Sequence, residues 1–146
     1  MRRVDQRLLW MGHAGDARDF RSLFEHEIEA VVQLAWDEPI PQAPRELIWA
    51  RIPLLDGSGN PPHRIQLAVS TLAQLLTQHV PTLVCCSQGL SRTPVIVALA
   101  LAQLERVSPQ KALLALRESG KLDVTPALWH EAVNVYKITS EGSTES

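Results

Sequence analysis

Only two cysteines occur in the 146 residues, and they are neighbours, Cys85 and Cys86. Adjacent cysteines cannot build a disulfide framework, which excludes the stapled secreted class and favours a reducing, cytoplasmic setting. A bond between the two is itself disfavoured, because adjacent α-carbons sit ~3.8 Å apart, below the usual disulfide range. Charge of one sign is lacking too: 14 Lys and Arg against 16 Asp and Glu leave a formal net charge of −2. That excludes a global basic field for nucleic acid or an anionic membrane. The longest apolar run, Pro94 to Leu104, is interrupted by Gln103 and is too short to span a bilayer. Arg2, Arg3 and Arg7 precede no apolar h-region, so no signal peptide is expected and these arginines read as a solvated terminus. The five histidines, His13, His26, His63, His79 and His130, lack metal-ligand spacing, so neither a metal nor another cofactor is expected. No internal repeat is visible.

What is present suits one domain. At 45% hydrophobic, the chain can bury a core. The expected domain covers residues 1–138, and the small, polar stretch 139–146 is expected as a flexible tail. Leu8-Leu9-Trp10-Met11, ended by Gly12, reads as a first strand. Asp16 is placed to cap a helix through about Glu25, with Phe20, Leu23 and Phe24 at helical spacing. Ile28 to Ala35 is β-branched and apolar, a buried strand. Its prolines make Trp36 to Pro44 a loop. Leu47 to Ile52 reads as a further strand, which a polar loop leaves at Leu54 to Gly59. Asn60-Pro61, Ser108-Pro109 and Thr125-Pro126 each read as a helix start, a cap followed by proline at the first helical position. Strands alternating with helices predict an α/β domain with a mostly parallel central sheet of four to five strands, flanked by helices. In such sheets, ligands bind beyond the carboxyl ends of the strands.

One unit stands at such an end: TLVCCSQGLSRTPVIVALALA, Thr82 to Ala102. An apolar strand ends in Cys86. Ser87, Gln88, Gly89, Leu90 and Ser91 form a short loop, and an apolar helix begins near Ser91 or Arg92. A helix N-terminus presents unpaired N–H groups and a partial positive charge. A loop curling into it can aim further N–H groups at one anion. Gly89 permits close approach or a positive φ there. Arg92 adds a planar, permanently charged donor fork suited to phosphate. The same field favours a reactive Cys86. Cysteine and arginine at this spacing alone are a weak signal; the strand before, the glycine within, Thr93 after and the apolar helix behind give it weight.

The stretch VCCSQGLSRTPVIVALAL resembles the active-site loop of the cysteine-dependent protein tyrosine phosphatase superfamily, whose pattern is C-x5-R-[ST]. The small size and the flanking segments resemble its dual-specificity branch. GDARDFRSLFEHEIEAVVQLA is similar to that branch's first helix and second strand, ARIPLLDG to its general-acid loop, and SPQKALLALRESG to the helix after the catalytic one. The resemblance covers roughly residues 8–138 and implies a three-layer phosphatase-type sandwich.

It also implies roles. Cys86 attacks phosphorus and forms a phosphocysteine intermediate. The amides of Ser87 to Arg92, with the Arg92 side chain, hold the equatorial oxygens. Thr93 hydrogen-bonds the sulfur and helps it leave. Asp56 protonates the leaving oxygen and then takes a proton from water. Asp37, after the preceding strand, is the competing acid. The family usually has histidine before the nucleophile; here Cys85 stands there, a weak donor whose side chain strand alternation turns away from the pocket. The expected consequence is lower activity at neutral pH than a histidine-bearing relative shows. Lys121 to Val124 follows a helix stop and borders the expected site with no assigned role. The tryptophans read as core or pocket wall.

The expected activity is hydrolysis of phosphomonoesters, on phosphotyrosine and on phosphoserine or phosphothreonine in proteins. The partner is then a phosphorylated protein or a small phosphomonoester, with no nucleic acid or membrane, and a monomer is compatible with the sequence. The uncharged loop 87–91 disfavours highly phosphorylated inositides. Two rivals are a phosphate-reading module with little turnover, motivated by Cys85, and a sulfurtransferase, against which Thr93 and Asp56 count.

Overall fold

Continuous apolar runs place β3 (Ala30–Ala35) and β5 (Thr82–Cys86) at the centre of the sheet, where every residue of both strands is buried. The computed structural model describes residues 1–144. The sheet has five strands, with β1 (Arg2–Arg3), β2 (Leu9–His13) and β4 (Ile48–Leu54) completing the order β1-β2-β5-β3-β4. Only the β1–β2 pair is antiparallel. The expected mostly parallel α/β sheet is therefore present.

Strand alternation sorts the side chains into two layers. Val32, Val84 and Cys86 join the larger core, and Val31, Leu83 and Cys85 the smaller one. The smaller face is covered by α1 (Ala14–Arg18) and α2 (Phe20–Glu25). The larger face carries α3 (Pro62–Thr77), α4 (Arg92–Glu105), α5 (Pro109–Glu118) and α6 (Pro126–Thr144). Helix α4 is buried from Arg92 to Ala102, since α3, α5, α6 and the sheet surround it. Val95, Ile96, Val97 and Leu99 have no exposed surface; burial of each such side chain stabilises the fold by ~1.5–3 kcal/mol.

Four local expectations change. The N-terminal arginines are not simply solvated: Arg2 and Arg3 pair with Met11 and Trp10 as β1, and the Arg3 guanidinium lies 5.1 Å from the Trp10 ring centroid. The single helix expected from Asp16 is two. His13 caps the first by accepting from the Asp16 N–H at 3.2 Å, while the Asp16 carboxylate accepts from the His13 N–H at 3.0 Å. Asp19 caps the second by accepting from the Ser22 N–H. Asn60 does not cap α3; Pro61 takes that place with no side-chain bond, because the Asn60 carboxamide is engaged across the preceding loop. Helix α6 continues past residue 138 through Thr144, into the stretch expected as tail. The Thr139 hydroxyl donates to the Val135 carbonyl at 2.9 Å and accepts from Gln66 of α3 at 2.8 Å, which holds that turn. Residues 145–146 of the expected tail lie outside the described residues. Ser108 and its proline start α5 as expected.

Buried Gln33 ties the proline-containing loop after β3 to the sheet. It accepts from the Trp49 indole N–H at 3.0 Å and donates to the Pro39 carbonyl at 2.9 Å. Gln33→Leu leaves both partners unsatisfied and is expected to cost ~1–3 kcal/mol in urea unfolding; unchanged stability contradicts this account of the loop.

Candidate active site

Strand β5 delivers the Cys86 sulfur to the carboxyl edge of the sheet, and helix α4 starts again at Arg92. The loop between is shaped by a contact only glycine permits. Gly89 has φ +77°, and a Cβ there would lie 2.6 Å from the Gly12 carbonyl oxygen of β2. Two of the loop's carbonyls are held by neighbouring segments: Ser87 C=O accepts from the Ala14 N–H at 3.2 Å, and Leu90 C=O from the Asp123 N–H at 2.8 Å. In a trans peptide the N–H opposes the C=O. The amides of Gln88 and Ser91 therefore point away from those two partners, and the positive end of α4 lies at the end of the same loop.

A cavity of about 520 Å³ opens over this loop. Cys86, Ser87, Gln88, Leu90, Ser91, Arg92 and Asp56 all line it. Gly89 does not, because it packs against Gly12 on the loop's outer side. Thr93 sits beneath and donates its hydroxyl hydrogen to the Cys86 sulfur at 3.1 Å. The sequence-predicted residues thus gather at one place, with Gly89 shaping the loop rather than lining the cavity.

Arg92 is 6% exposed, so where its five N–H donors go is decisive. Both Nη1 hydrogens are taken, by Asp37 Oδ1 at 2.8 Å and the Leu54 carbonyl at 2.9 Å. Nη2 donates to the Ser87 hydroxyl at 3.1 Å, and that hydroxyl donates to Asp37 Oδ2 at 2.9 Å. Nε is buried and without a partner among the described residues. A buried donor left unpaired is costly. The free edge, Nε with the second Nη2 hydrogen, has the spacing of a two-oxygen anion.

Asp37, weighed above as a rival acid, is thus the partner of the arginine. The Arg92 hydrogen bond holds its carboxyl below the ordinary 3.8; burial opposes this, and the Ser87 hydroxyl assists it. Asp56 stands elsewhere on the rim. Its Oδ1 accepts from the Ser91 hydroxyl at 2.6 Å and the Thr125 hydroxyl at 2.8 Å. Cys85 is turned into the smaller core beside Leu83 and Val31. Burial above all, then the nearby charges of Cys86, Asp16 and Glu38, push its thiol up to about 12. It is a neutral structural group at physiological pH.

Sequence reasoning missed Thr125 as a partner of the acid loop, having read it only as a helix cap. It placed Lys121 to Val124 at the border of the site and read Trp36 as core or pocket wall, and Trp36, Asp123 and Val124 do line the cavity. Only proximity in the fold could have found the Thr125 contact. Among the described residues, no group of His, Cys, Asp or Glu could hold a metal ion, and no helix is long and apolar enough to cross a membrane.

Comparison with known proteins places this geometry in a wider set. Residues 8–105 match the family model described as Tc-R-P, polymorphic toxin system, DSP-PTPase phosphatase. No curated protein matches the sequence. The fold is similar to that of human DUSP28, at 19% identity over 98% of this chain and 99% of that one, with TM-score 0.83. It is also similar to PTPMT1, at 17% identity over 99% of each chain and TM-score 0.78. A mouse putative dual specificity phosphatase solved with zinc tungstate matches at 19% identity, over 97% of this chain and 89% of that one, with TM-score 0.81. The three-layer phosphatase fold is common to all.

The Asp37–Arg92 pair predicts a pH dependence. A depressed native value makes the pair's contribution complete above the ordinary 3.8 and lost as pH falls through the lowered value. The Asp37 side chain is 58% exposed, so screening keeps the contribution small. Wild type is expected to exceed Asp37→Asn by about 1 kcal/mol or less near neutral pH, with the gap closing in acid. Urea unfolding of both proteins across that range measures it; a gap that widens in acid contradicts the pairing.

Proposed function

The chain belongs to the DSP-PTPase phosphatase family of polymorphic toxin systems, and on that premise we propose that it hydrolyses protein phosphotyrosine, phosphoserine and phosphothreonine through a phosphocysteine on Cys86. The observation that carries the reading is that one cavity is lined by Cys86, Arg92, the loop between them and Asp56, with the Thr93 hydroxyl donating to the Cys86 sulfur at 3.1 Å. A phosphoryl group seated there meets the nucleophile, the cation and the acid together.

In the first step the Cys86 thiolate forms a bond to phosphorus as the bond to the ester oxygen breaks in line. The loop amides from Ser87 to Arg92 and the free edge of Arg92 hold the three equatorial oxygens as their charge shifts. Asp56 transfers a proton to the departing oxygen; its Oδ1 is held by two hydroxyls, which leaves Oδ2 for the proton. In the second step water attacks phosphorus, Asp56 takes the water's proton, and the sulfur–phosphorus bond breaks. The Thr93 hydroxyl stabilises the returning thiolate through its bond to sulfur. This set of groups supports turnover over a module that only reads phosphate.

Several features bear on substrate. Trp36, 56% exposed, and Leu55, 41% exposed, stand on the cavity rim and offer apolar contact to a phosphorylated side chain. Asp37, Asp56 and Asp123 line the cavity, and Arg92 is its one cationic lining residue among those described. Several phosphates on one ring would meet repulsion there, so a protein or simple aryl phosphomonoester fits better than a polyphosphorylated inositide. A reducing cytoplasm would keep Cys86 as a thiol.

Vanadate-sensitive turnover of an aryl phosphate tests the reading. Wild type is expected to be active and Cys86→Ser to fall to background while keeping its fold. An inactive wild type, or turnover that survives in Cys86→Ser, overturns it.

A further inference from the structure

The loop from Leu55 to Asn60, which carries Asp56, is fastened at two points, to helix α6 and to the residue just before it. One is the bond from Thr125 to Asp56. The other is Glu131. Its Oε1 accepts from the Gly59 N–H at 2.9 Å, and its Oε2 from the Asn60 N–H at 3.3 Å and the Asn60 carboxamide at 3.2 Å. These partners lie 71 and 72 residues upstream. Among the described residues Glu131 forms no ion pair, so its charge is directed wholly at the loop's donors.

The rest of the loop is built around the same contact. Asn60, 4% exposed, accepts from the Leu55 N–H at 2.7 Å and donates to the Leu55 and Gly57 carbonyls, which closes the loop at its base. Gly59 has φ +96°, in the left-handed region that favours glycine. Bonds from N–H groups to an ionised carboxylate are roughly twice as strong as neutral ones. The hold on Asp56 is different in kind: two hydroxyl bonds near an exposed carboxylate.

We propose that Glu131 is a positioning residue for the acid step, which sets where Asp56 delivers its proton by clamping the base of its loop to α6. The proposal rests on the assignment of Asp56 as the general acid. Glu131 does not line the cavity and touches neither the nucleophile nor the phosphate cradle. Removing it therefore loosens the loop of the proton donor without taking a hydrogen bond from sulfur or Arg92. Proton donation matters most when the leaving oxygen is basic and little when it is already stable as an anion.

The test is kcat/KM, which reports the first chemical step, across aryl phosphates from nitrophenyl to phenyl. Glu131→Ala is expected to slow the phenyl ester by ~10–100-fold and the nitrophenyl ester by less than ~3-fold. Glu131→Gln keeps the volume and one acceptor, so it is expected to show the same pattern at smaller size, and it serves if the alanine variant folds poorly. In an Asp56→Asn background, Glu131→Gln is expected to add no further dependence on the leaving group. Equal slowing of all esters by the Glu131 variants, or effects that add fully to those of Asp56→Asn, overturn the clamp. A flat series for Asp56→Asn itself overturns the acid assignment, and the clamp's role with it, and is told apart by that variant alone.

Discussion

The site depends on how one guanidinium divides its donors. Arg92 is buried, so each N–H must find an acceptor, and among the described residues the fold supplies them at Nη1 and Nη2 but not at Nε. Asp37 and the Leu54 carbonyl fix Nη1; Ser87 takes one Nη2 hydrogen. These bonds fix the guanidinium beside the cavity before any substrate arrives. Preorganisation of this kind places charge where it develops in the transition state, with little rearrangement at the moment of reaction.

The elements that hold the arginine are also the ends of the central strands. Asp37 follows β3, Leu54 ends β4 and Cys86 ends β5. Parallel strands packed between helices bring these ends to one edge. Helix α4 then anchors Arg92 through a fully buried apolar body, so the cation is held by the core itself. The close contact of Gly89 with Gly12 fastens the loop to β2 on the other side. Helix α6 closes the arrangement, because its first turns reach the loop that carries Asp56.

Much of this was legible in the sequence, for physical reasons. The strand–loop–helix unit around Cys86 carries its own signals: alternation that puts Cys85 and Cys86 on opposite faces, a glycine at the turn, a helix apolar enough to need burial. Local chemistry also fixed Ser108-Pro109 as a helix start. What the sequence hid are pairings between residues far apart in the chain. Asp37 looks like any loop carboxylate until Arg92 is placed beside it. Asn60 before Pro61 has the form of a cap, yet its carboxamide finds more partners across its own loop and on Glu131. The helix break at Asp19 shows the same limit at short range, since His13 and Asp19 compete with Asp16 as caps and win by geometry.

The central claim is that the shape of the Arg92 side chain, and not only its charge, organises the site. Arg92→Lys keeps the charge but loses the fork that binds Asp37 and Leu54 on one edge and phosphate on the other. The direct measurement is kcat/KM for an aryl phosphate in this variant, with its folding verified. The account predicts a loss of at least ~100-fold. Activity within ~5-fold of wild type would contradict it, because a bare cation would then suffice.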